Sequence, residues 1–361
     1  GEGRVAHEMA QYFTTQHDVV LMCPGQKTDL HTNDNGLKIM TVKSAGEGDV
    51  YVAALSTKQV NRIFDFLDTF QPDVIHAHET LSICLIGQVW AKMHGVPFIH
   101  TAHILPSKIL DFGVADAVPL LRHSLGESLA RQGFMNFFTN FYENCDAVVA
   151  LNKFAAQDIR GFGYKGKIVT IPNGRNLDLY NTCAFADLAA EKKLLTFVGY
   201  LSERKNQEYL IDMLQYLPAN YRLQLIGSAL KPSYEDYLKG LANQRQLDVA
   251  FLGQVAHHDI PTYLEKTHVL VSASKMEVQS LVIIEAMASG TPVVGLSNET
   301  VDELVDDSVG VGLPPDTAPK AFAERVMALC RQQQSTYEAL CRNARRRVQR
   351  HNWRGVMEET I

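Results

Sequence analysis

The fold is decided by the stretch Val269-Leu-Val-Ser-Ala-Ser-Lys-Met-Glu-Val-Gln-Ser-Leu-Val-Ile-Ile-Glu-Ala-Met-Ala-Ser-Gly-Thr-Pro-Val-Val-Gly295. A short β-branched run is followed by a polar loop, then by an apolar run of helical character, and then by a second β-branched run. Strand, helix and strand in this order are typical of a parallel sheet whose strands are joined through helices. Two glutamates mark the segment, Glu277 in the loop and Glu285 in the predicted helix.

The same alternation extends outward through a chain of 361 residues, which is longer than one hydrophobic core usually serves. We therefore predict an α/β protein of two doubly wound, Rossmann-like domains facing a central cleft. Their expected ranges are 1–175 and 176–345, and a C-terminal helix at 346–361 is expected to return toward the first domain. The other predicted strands lie at 19–22, 38–42, 73–78, 97–101, 146–151, 167–171, 194–198, 222–226 and 249–252, with helical patterns such as 57–71 and 80–94 between them.

Composition excludes several classes of protein. A net charge of -6 gives no electrostatic attraction for nucleic acid. The six cysteines show no Cys-x-x-Cys spacing, which is typical of a reducing compartment. No stretch approaches the roughly twenty apolar residues of a membrane span, and no signal sequence opens the chain. We expect a cytoplasmic protein with no nucleic-acid partner, and peripheral attachment to a membrane stays open.

The chain opens with Gly1-Glu-Gly3, which is typical of a glycine turn, and an amphipathic helix is predicted at Arg4–Phe13. Such a turn normally follows a strand. We therefore expect the first strand of the fold to precede residue 1.

The predicted helix near Val282 has free backbone N–H groups at its amino end, and these suit a diphosphate. A diphosphate bound there would lie between the two carboxylates. The alternative, from spacing alone, is a surface loop followed by a buried helix with one capping glutamate.

These residues resemble the retaining glycosyltransferases of family 4, which have the two-domain GT-B fold and use nucleotide diphosphate sugars as donors. The family has two glutamates separated by seven residues before Ala-Met-Ala-Ser-Gly-Thr-Pro-Val-Val, as in Glu277, Glu285 and 286–294 here. The resemblance implies that Glu285 binds the ribose hydroxyls, that Glu277 contacts the donor sugar, and that amides near Leu281 and Val282 hold the phosphates. Ser280 stands where the family often has glycine.

A second cluster, Gly199-Tyr-Leu-Ser-Glu-Arg-Lys-Asn-Gln207, follows a predicted strand. A departing diphosphate needs positive charge already in position. By the resemblance, Lys205 is the phosphate-binding lysine, and the family's usual arginine falls on Tyr200, so Arg204 is the candidate to compensate. The alternative is a solvated loop of charged residues that binds no ligand.

Four histidines, His76, His78, His100 and His103, lie near the ends of predicted strands. They raise the alternative of a metal-dependent hydrolase. The resemblance instead assigns His103 to the reaction centre beside the donor sugar. It also matches the opening Gly1 and Gly3 to a loop that approaches the diphosphate.

The sequence contains no Asp-x-Asp, so we expect no metal and no cofactor, and the nucleotide diphosphate sugar, a UDP-sugar by preference, is the substrate. The resemblance implies retention by front-face attack. Two other functions stay open: a UDP-sugar epimerase, for which the first domain offers no acid and base pair, and a non-catalytic nucleotide-sugar-binding protein.

The acceptor side is expected in the first domain, where the segment Ile104–Asn144 is its most individual part. It mixes aromatic and basic residues that could rest on a bilayer, and the alternative is helices packed on the first sheet. The pattern around His103 and Glu277 is similar to that of bacterial diacylglycerol glucosyltransferases, so a glycolipid acceptor is preferred to a sugar or small molecule. The segment's aromatic and basic residues are Phe112, Phe134, Phe137, Phe138, Phe141, Lys108, Arg122 and Arg131.

Overall fold

The computed structural model describes residues 2–47, 50–53, 56–80, 82–108, 124–181 and 185–360. The chain divides into two compact units. The first unit comprises Gly1–Pro172 with Thr360–Ile361, and the second comprises Asn173–Glu359. Each unit is an α/β assembly with its own sheets.

The described elements of the first unit are α1 (Glu2–Phe13), β1 (Val20–Gly25), β2 (Asp29–Thr32), β3 (Lys38–Glu47), β4 (Val50–Ala53), α2 (Thr57–Phe70), β5 (Ile75–Ala77), α3 (Ser82–His94), β6 (Phe98–Ala102), α4 (Ser124–Glu143), β7 (Ala147–Ala150), α5 (Lys153–Gly161) and β8 (Lys167–Thr170). These strands form two four-stranded sheets. In one, β1 pairs in parallel with β3, and β2 and β4 are both antiparallel to β3. The other is fully parallel in the order β5-β6-β7-β8.

The first unit differs from expectation at two places. Strands β2 and β4 are additional to the predicted ones, and their antiparallel pairing makes the first sheet mixed. Helix α1 already begins at Glu2, so Gly3 lies in its first turn rather than in a turn before it. A Cβ added to Gly3 would meet no atom within 4 Å, so no neighbour requires glycine there.

The described strands and helices of the second unit are β9 (Lys193–Val198), α6 (Gln207–Leu214), β10 (Tyr221–Ile226), α7 (Pro232–Gln244), β11 (Val249–Gly253), α8 (Ile260–Glu265), β12 (Val269–Ser272), α9 (Leu281–Ala288), β13 (Val293–Leu296), α10 (Glu299–Leu304), β14 (Gly310–Leu313), α11 (Pro319–Cys330), α12 (Gln334–Arg347) and α13 (Trp353–Thr360). Short 3-10 turns lie at Leu177–Tyr180, His257–Asp259 and Gln349–His351. The six strands form a parallel sheet in the order β11-β10-β9-β12-β13-β14.

The sheet of the second unit is buried on both faces, which explains the unbroken apolar run of β12. Val269 and Val271 pack into the hydrophobic core on one face, while Leu270 packs into the core on the other. Successive side chains of a strand point to opposite faces, so a strand covered on both sides needs apolar residues at every position.

Candidate active site

The strand order of the second unit has its switch point between β9 and β12. The chain leaves β9 toward β10 and β11 on one side, and returns through β12 toward β13 and β14 on the other. Open parallel sheets bind ligands outside the carboxyl ends of their strands at such a point. The loops that follow β9 and β12 are those that carry the predicted residues Lys205 and Glu277.

Lys205 and Glu277 form an ion pair across these two loops, between Nζ and Oε1. Their side chains are only 16% and 13% exposed. Ser274 Oγ donates a second hydrogen bond of 2.9 Å to the same carboxylate oxygen. The backbones are joined as well, because Lys275 N donates to Arg204 O at 3.0 Å. The structure therefore brings together two residues that the sequence predicted separately.

Gln207 fixes the conformation of the loop at 199–207, which carries Lys205. Its side chain is fully buried, its Oε1 accepts from Ser202 N at 3.1 Å, and its Nε2 donates to Tyr200 O at 2.9 Å. Tyr200, in the place of the family's usual arginine, is 43% exposed, and Arg204 is exposed too. Gln207 lay in the predicted cluster but was not assigned a role, because a side chain that braces its own loop has no distinctive sequence pattern.

Two glycines let the strand ends approach closely beside this loop. Gly199 follows β9 with φ +143°, and Gly227 follows β10 with φ +138°. A Cβ added to Gly227 would lie 2.1 Å from the carbonyl oxygen of Gly199. Glycine is required at residue 227 by space and by backbone conformation, because L side chains rarely adopt this φ.

The amino end of α9 lies in the same β12–β13 connection. Ser280, Leu281 and Val282 are each partly exposed. The backbone N–H of Ser280 donates to Thr300 Oγ1 at 2.7 Å, which fixes the start of the helix. Leu281 and Val282 occupy first-turn positions, where helix geometry supplies no carbonyl acceptor for the N–H groups. These amides are suited to hold an anion.

Glu285 lies one turn further along α9 and is 2% exposed. Its Oε1 forms an ion pair of 2.8 Å with Arg175 Nε and lies 3.1 Å from His257 Nε2. His257 Nε2 lies 3.2 Å from the Tyr180 hydroxyl. Neither Arg175 nor His257 was predicted from the sequence as a site residue. Arg175 follows the Ile171-Pro-Asn-Gly174 turn, where the only available signal was a basic residue at the end of a predicted domain.

The four predicted histidines lie in the first unit, where His76, His78 and His103 contact one another and His100 packs against Phe141 and Tyr142. His78 Nδ1 lies 2.9 Å from His103 Nε2, and His76 Nε2 lies 2.7 Å from Thr101 Oγ1. The rings of His76 and His78 have centroids 4.5 Å apart. Within the described ranges, no group of three or more His, Cys, Asp or Glu side chains is arranged to hold a metal ion.

We expect acid to destabilise the first unit through these histidines. Burial lowers the pKa of His76 to about 4, and burial together with His103 and His76 lowers the pKa of His100 to about 3. An unfolded histidine titrates near 6.5, so below that pH the unfolded chain binds more protons than the folded chain. The free energy of unfolding should therefore fall as pH decreases from about 6.5 to about 4.

Equilibrium urea unfolding across this pH window measures the effect. The matched variant is His100→Phe, because His100 is 1% exposed and packs edge-on against Phe141. It removes one titrating ring and should make the pH dependence shallower. An unchanged slope would show that His100 is not held neutral by the fold.

The segment Ile104–Asn144, for which a bilayer surface and packed helices were both open, is only partly within the described residues. Phe112 and Arg122 lie outside them, as does Gly1 of the opening turn. On α4, Phe138 and Phe141 are 3% and 2% exposed. These two aromatic residues pack in the interior, as the interpretation of helices packed on the sheet expects, and they are not available to a bilayer.

Three other residues of this segment are more accessible. Phe137 is 37% exposed, and Phe134 and Lys108 are partly exposed. No helix in the described part of the chain is both long and apolar enough to cross a membrane.

Two solved structures share the fold along the whole chain. Sucrose-phosphate synthase from Thermosynechococcus elongatus has a TM-score of 0.78 at 20% identity, covering 100% of this chain and 92% of that one. Anabaena HepE in complex with UDP and glucose has a TM-score of 0.78 at 19% identity, covering 100% of this chain and 94% of that one. The fold is that of the GT-B glycosyltransferases.

The chain belongs to the glycosyltransferases of this class through both halves. Residues 1–179 match the family model Glycosyltransferase Family 4, and residues 184–347 match the model Glycosyl transferases group 1. The two models together span most of the chain, so the resemblance read from Glu277, Glu285 and the segment that follows is confirmed at the level of the family.

Two curated relatives are similar at 24% identity. One is the alpha-monoglucosyldiacylglycerol synthase of Streptococcus pneumoniae, with 69% of this chain and 57% of that protein matched. The other is the GDP-mannose-dependent alpha-(1-6)-phosphatidylinositol dimannoside mannosyltransferase of Mycobacterium tuberculosis, with 95% of this chain and 86% of that protein matched. The chain thus spans a little more than half the length of the first relative.

Proposed function

We propose that the chain is a retaining hexosyltransferase that uses a nucleotide diphosphate sugar, with a UDP-sugar as the preferred donor. The observation that carries this proposal is the ion pair of Lys205 with Glu277 at the switch point of the second sheet. It joins a cation for a diphosphate and a carboxylate for sugar hydroxyls. The first-turn amides of α9, in the same β12–β13 connection as Glu277, would hold the phosphates.

Each residue has a defined part in this proposal. Lys205 neutralises the charge that develops on the diphosphate as the bond from sugar C1 to the phosphate oxygen breaks. The amides of Leu281 and Val282 hold the same phosphates. Arg204 and the backbone of Gly199, in the same loop as Lys205, also belong to the proposed phosphate site. Glu277 accepts hydrogen bonds from the sugar hydroxyls, and Glu285 from the ribose.

The transfer step follows the family resemblance. The diphosphate leaves with the bonding electron pair, and the acceptor hydroxyl oxygen bonds to C1 from the same face. The proton of that hydroxyl passes to the departing phosphate oxygen, so no enzymic base is needed. His103, Gly1 and Gly3 of the first unit belong to the donor side by resemblance, and the absence of Asp-x-Asp favours chemistry without a divalent ion.

A lipid acceptor is the preferred form of the proposal. It is supported by the two relatives, whose names give lipid products or substrates, and by the exposed Phe137 on α4. We also propose a cytoplasmic location, with membrane association through the acceptor. The free thiols of Cys23, Cys84, Cys145, Cys330 and Cys341 are consistent with a reducing compartment.

A thermal-shift panel of UDP-, GDP- and ADP-sugars tests the donor class. A ligand at about one hundred times its Kd stabilises the folded state by about 2.7 kcal/mol. For a unit of this size that is a rise of roughly 5–10 °C in Tm. We expect UDP-glucose or UDP-galactose to give the largest shift, and the free sugars as controls to give none. If no nucleotide sugar shifts the protein, the proposal fails.

A turnover assay with the same nucleotide sugar then distinguishes an enzyme from a non-catalytic binding protein. Nucleoside diphosphate release is measured with dispersed diacylglycerol, with monoglucosyldiacylglycerol, with simple sugars and with no acceptor. Release that depends on a lipid supports the preferred acceptor, while release with sugars alone overturns it. Binding without release in any arm identifies a non-catalytic binding protein.

A further inference from the structure

The buried contacts around Glu285 carry an inference that rests on the proposed function and goes beyond it. We propose that Arg175 and His257 are positioning residues that hold Glu285 by one oxygen, Oε1, and thereby aim its other oxygen, Oε2, at the donor ribose. Selection of ribose over deoxyribose would then depend on a guanidinium and an imidazole outside the paired-glutamate motif.

Both contacts fall on the same carboxylate oxygen. Arg175 Nε lies 2.8 Å from Oε1, and His257 Nε2 lies 3.1 Å from it. A carboxylate only accepts hydrogen bonds, so His257 is the donor of its contact, and Arg175 adds the positive charge of its guanidinium. An ion pair and a hydrogen bond that come from two separate segments restrain the carboxylate better than either one does. A carboxylate fixed in this way needs little reordering when a ribose hydroxyl donates to it.

The Arg175 side chain is itself held in place by its backbone. Arg175 N donates to His351 O at 2.8 Å, and Trp353 N donates to Arg175 O at 2.8 Å. Gly174 makes this possible, because a Cβ there would lie 2.8 Å from the Trp353 ring. The Arg175 side chain is only 7% exposed, so it loses little further conformational freedom when a nucleotide sugar binds.

His257 belongs to a different segment from Arg175 and has its own buried neighbour. It begins the 3-10 turn that follows β11, and its Nε2 lies 3.2 Å from the hydroxyl of Tyr180, a residue that is 1% exposed. His257 itself is 27% exposed, so the imidazole lies between the buried tyrosine and solvent. Glu285 is therefore contacted by Arg175, near the start of the second unit, and by His257, in the loop after β11.

The test compares ribose selection in the intact protein and in Arg175→Lys. UDP and GDP are each titrated against their 2′,3′-dideoxy analogues by calorimetry. A hydrogen bond to a charged group is worth about tenfold or more in affinity, so the wild type should prefer the ribonucleotide by at least about tenfold. Arg175→Lys keeps the charge but loses the planar guanidinium. It should reduce that preference to about twofold or less, with kcat nearly unchanged and KM raised.

Arg222→Lys is the matched control. Arg222 Nε makes an ion pair of 2.8 Å with Asp248 in the same unit, and the variant should keep the full ribose preference. His257→Phe is a second test variant, because it keeps an aromatic ring and removes the donor to Glu285. If Arg175→Lys is unstable, the preference measured in His257→Phe still decides the question.

The possible outcomes are distinct. If the wild type and Arg175→Lys show the same preference for the ribonucleotide, the positioning role is overturned and the proposed function stands. The same holds if both ribo and dideoxy ligands weaken equally, since that marks a purely structural role. A wild type that binds no nucleotide overturns both proposals.

Discussion

Replacement of Lys205 by alanine is expected to lower kcat for sugar transfer by about 10²- to 10³-fold, the usual effect of removing one preorganised group that stabilises developing negative charge. The Lys205 side chain is 16% exposed and is held at the switch point by Glu277. Its charge is therefore in place before the diphosphate leaves. The measurement is nucleoside diphosphate release at saturating donor, using the donor and acceptor identified by the panel.

The control for this prediction is Lys239→Ala in the same unit. Lys239 lies on α7, is 46% exposed, and pairs with Glu235 one turn away. Its loss should change kcat by less than about twofold, because an exposed ion pair of this kind contributes little. Lys205→Arg should recover part of the activity by restoring the charge. A Lys205→Ala enzyme with wild-type kcat would remove Lys205 from the mechanism.

Replacement of Gly227 by alanine is expected to produce the largest loss of stability, about 2–4 kcal/mol in the free energy of unfolding. The added Cβ would lie 2.1 Å from Gly199 O, and the backbone φ of +138° disfavours any L side chain. Both neighbours are backbone, so no side chain can turn aside to relieve the contact. Equilibrium urea unfolding gives the value.

Gly240→Ala is the matched control because Gly240 lies inside helix α7 with no atom within 4 Å of an added Cβ. It should raise the free energy of unfolding by about 0.5–1 kcal/mol. The two substitutions add the same methyl group and should differ in sign. Gly227→Ala should also weaken donor binding, since Gly199 begins the loop that carries Lys205. Equal effects of the two substitutions would refute the crowding at Gly227.

Most strands were predictable from sequence, and the exceptions have a physical cause. The predicted runs at 269–272 and 222–226 correspond to β12 and β10, whose apolar side chains face the covered sheet. Strand β2 was not predicted, because its four residues include three polar ones and Leu30 is 50% exposed. Strand β14, Gly310-Val-Gly-Leu313, is an edge strand with two glycines and so resembles a loop.

Among Glu285, Arg175 and His257, the sequence singled out Glu285 alone. The motif marked Glu285 as a ligand-binding carboxylate, because the helix pattern and the residues after it are local. Arg175 and His257 gave no comparable signal. Each belongs to a different connection, and nothing in either stretch indicates that its side chain will reach α9.

The local pattern of apolar, β-branched and turn residues was sufficient for the two α/β units, the family and the two loops that carry Lys205 and Glu277. Such patterns reflect burial and backbone preference, which act over a few residues. Only the folded sheet could decide which loops meet. Because β12 pairs with β9 rather than with β11, residues 205 and 277 become neighbours, and Arg175 is held against Glu285 by contacts that include the last residues of the unit. These pairings follow from strand order and long-range packing, which no local stretch of sequence encodes.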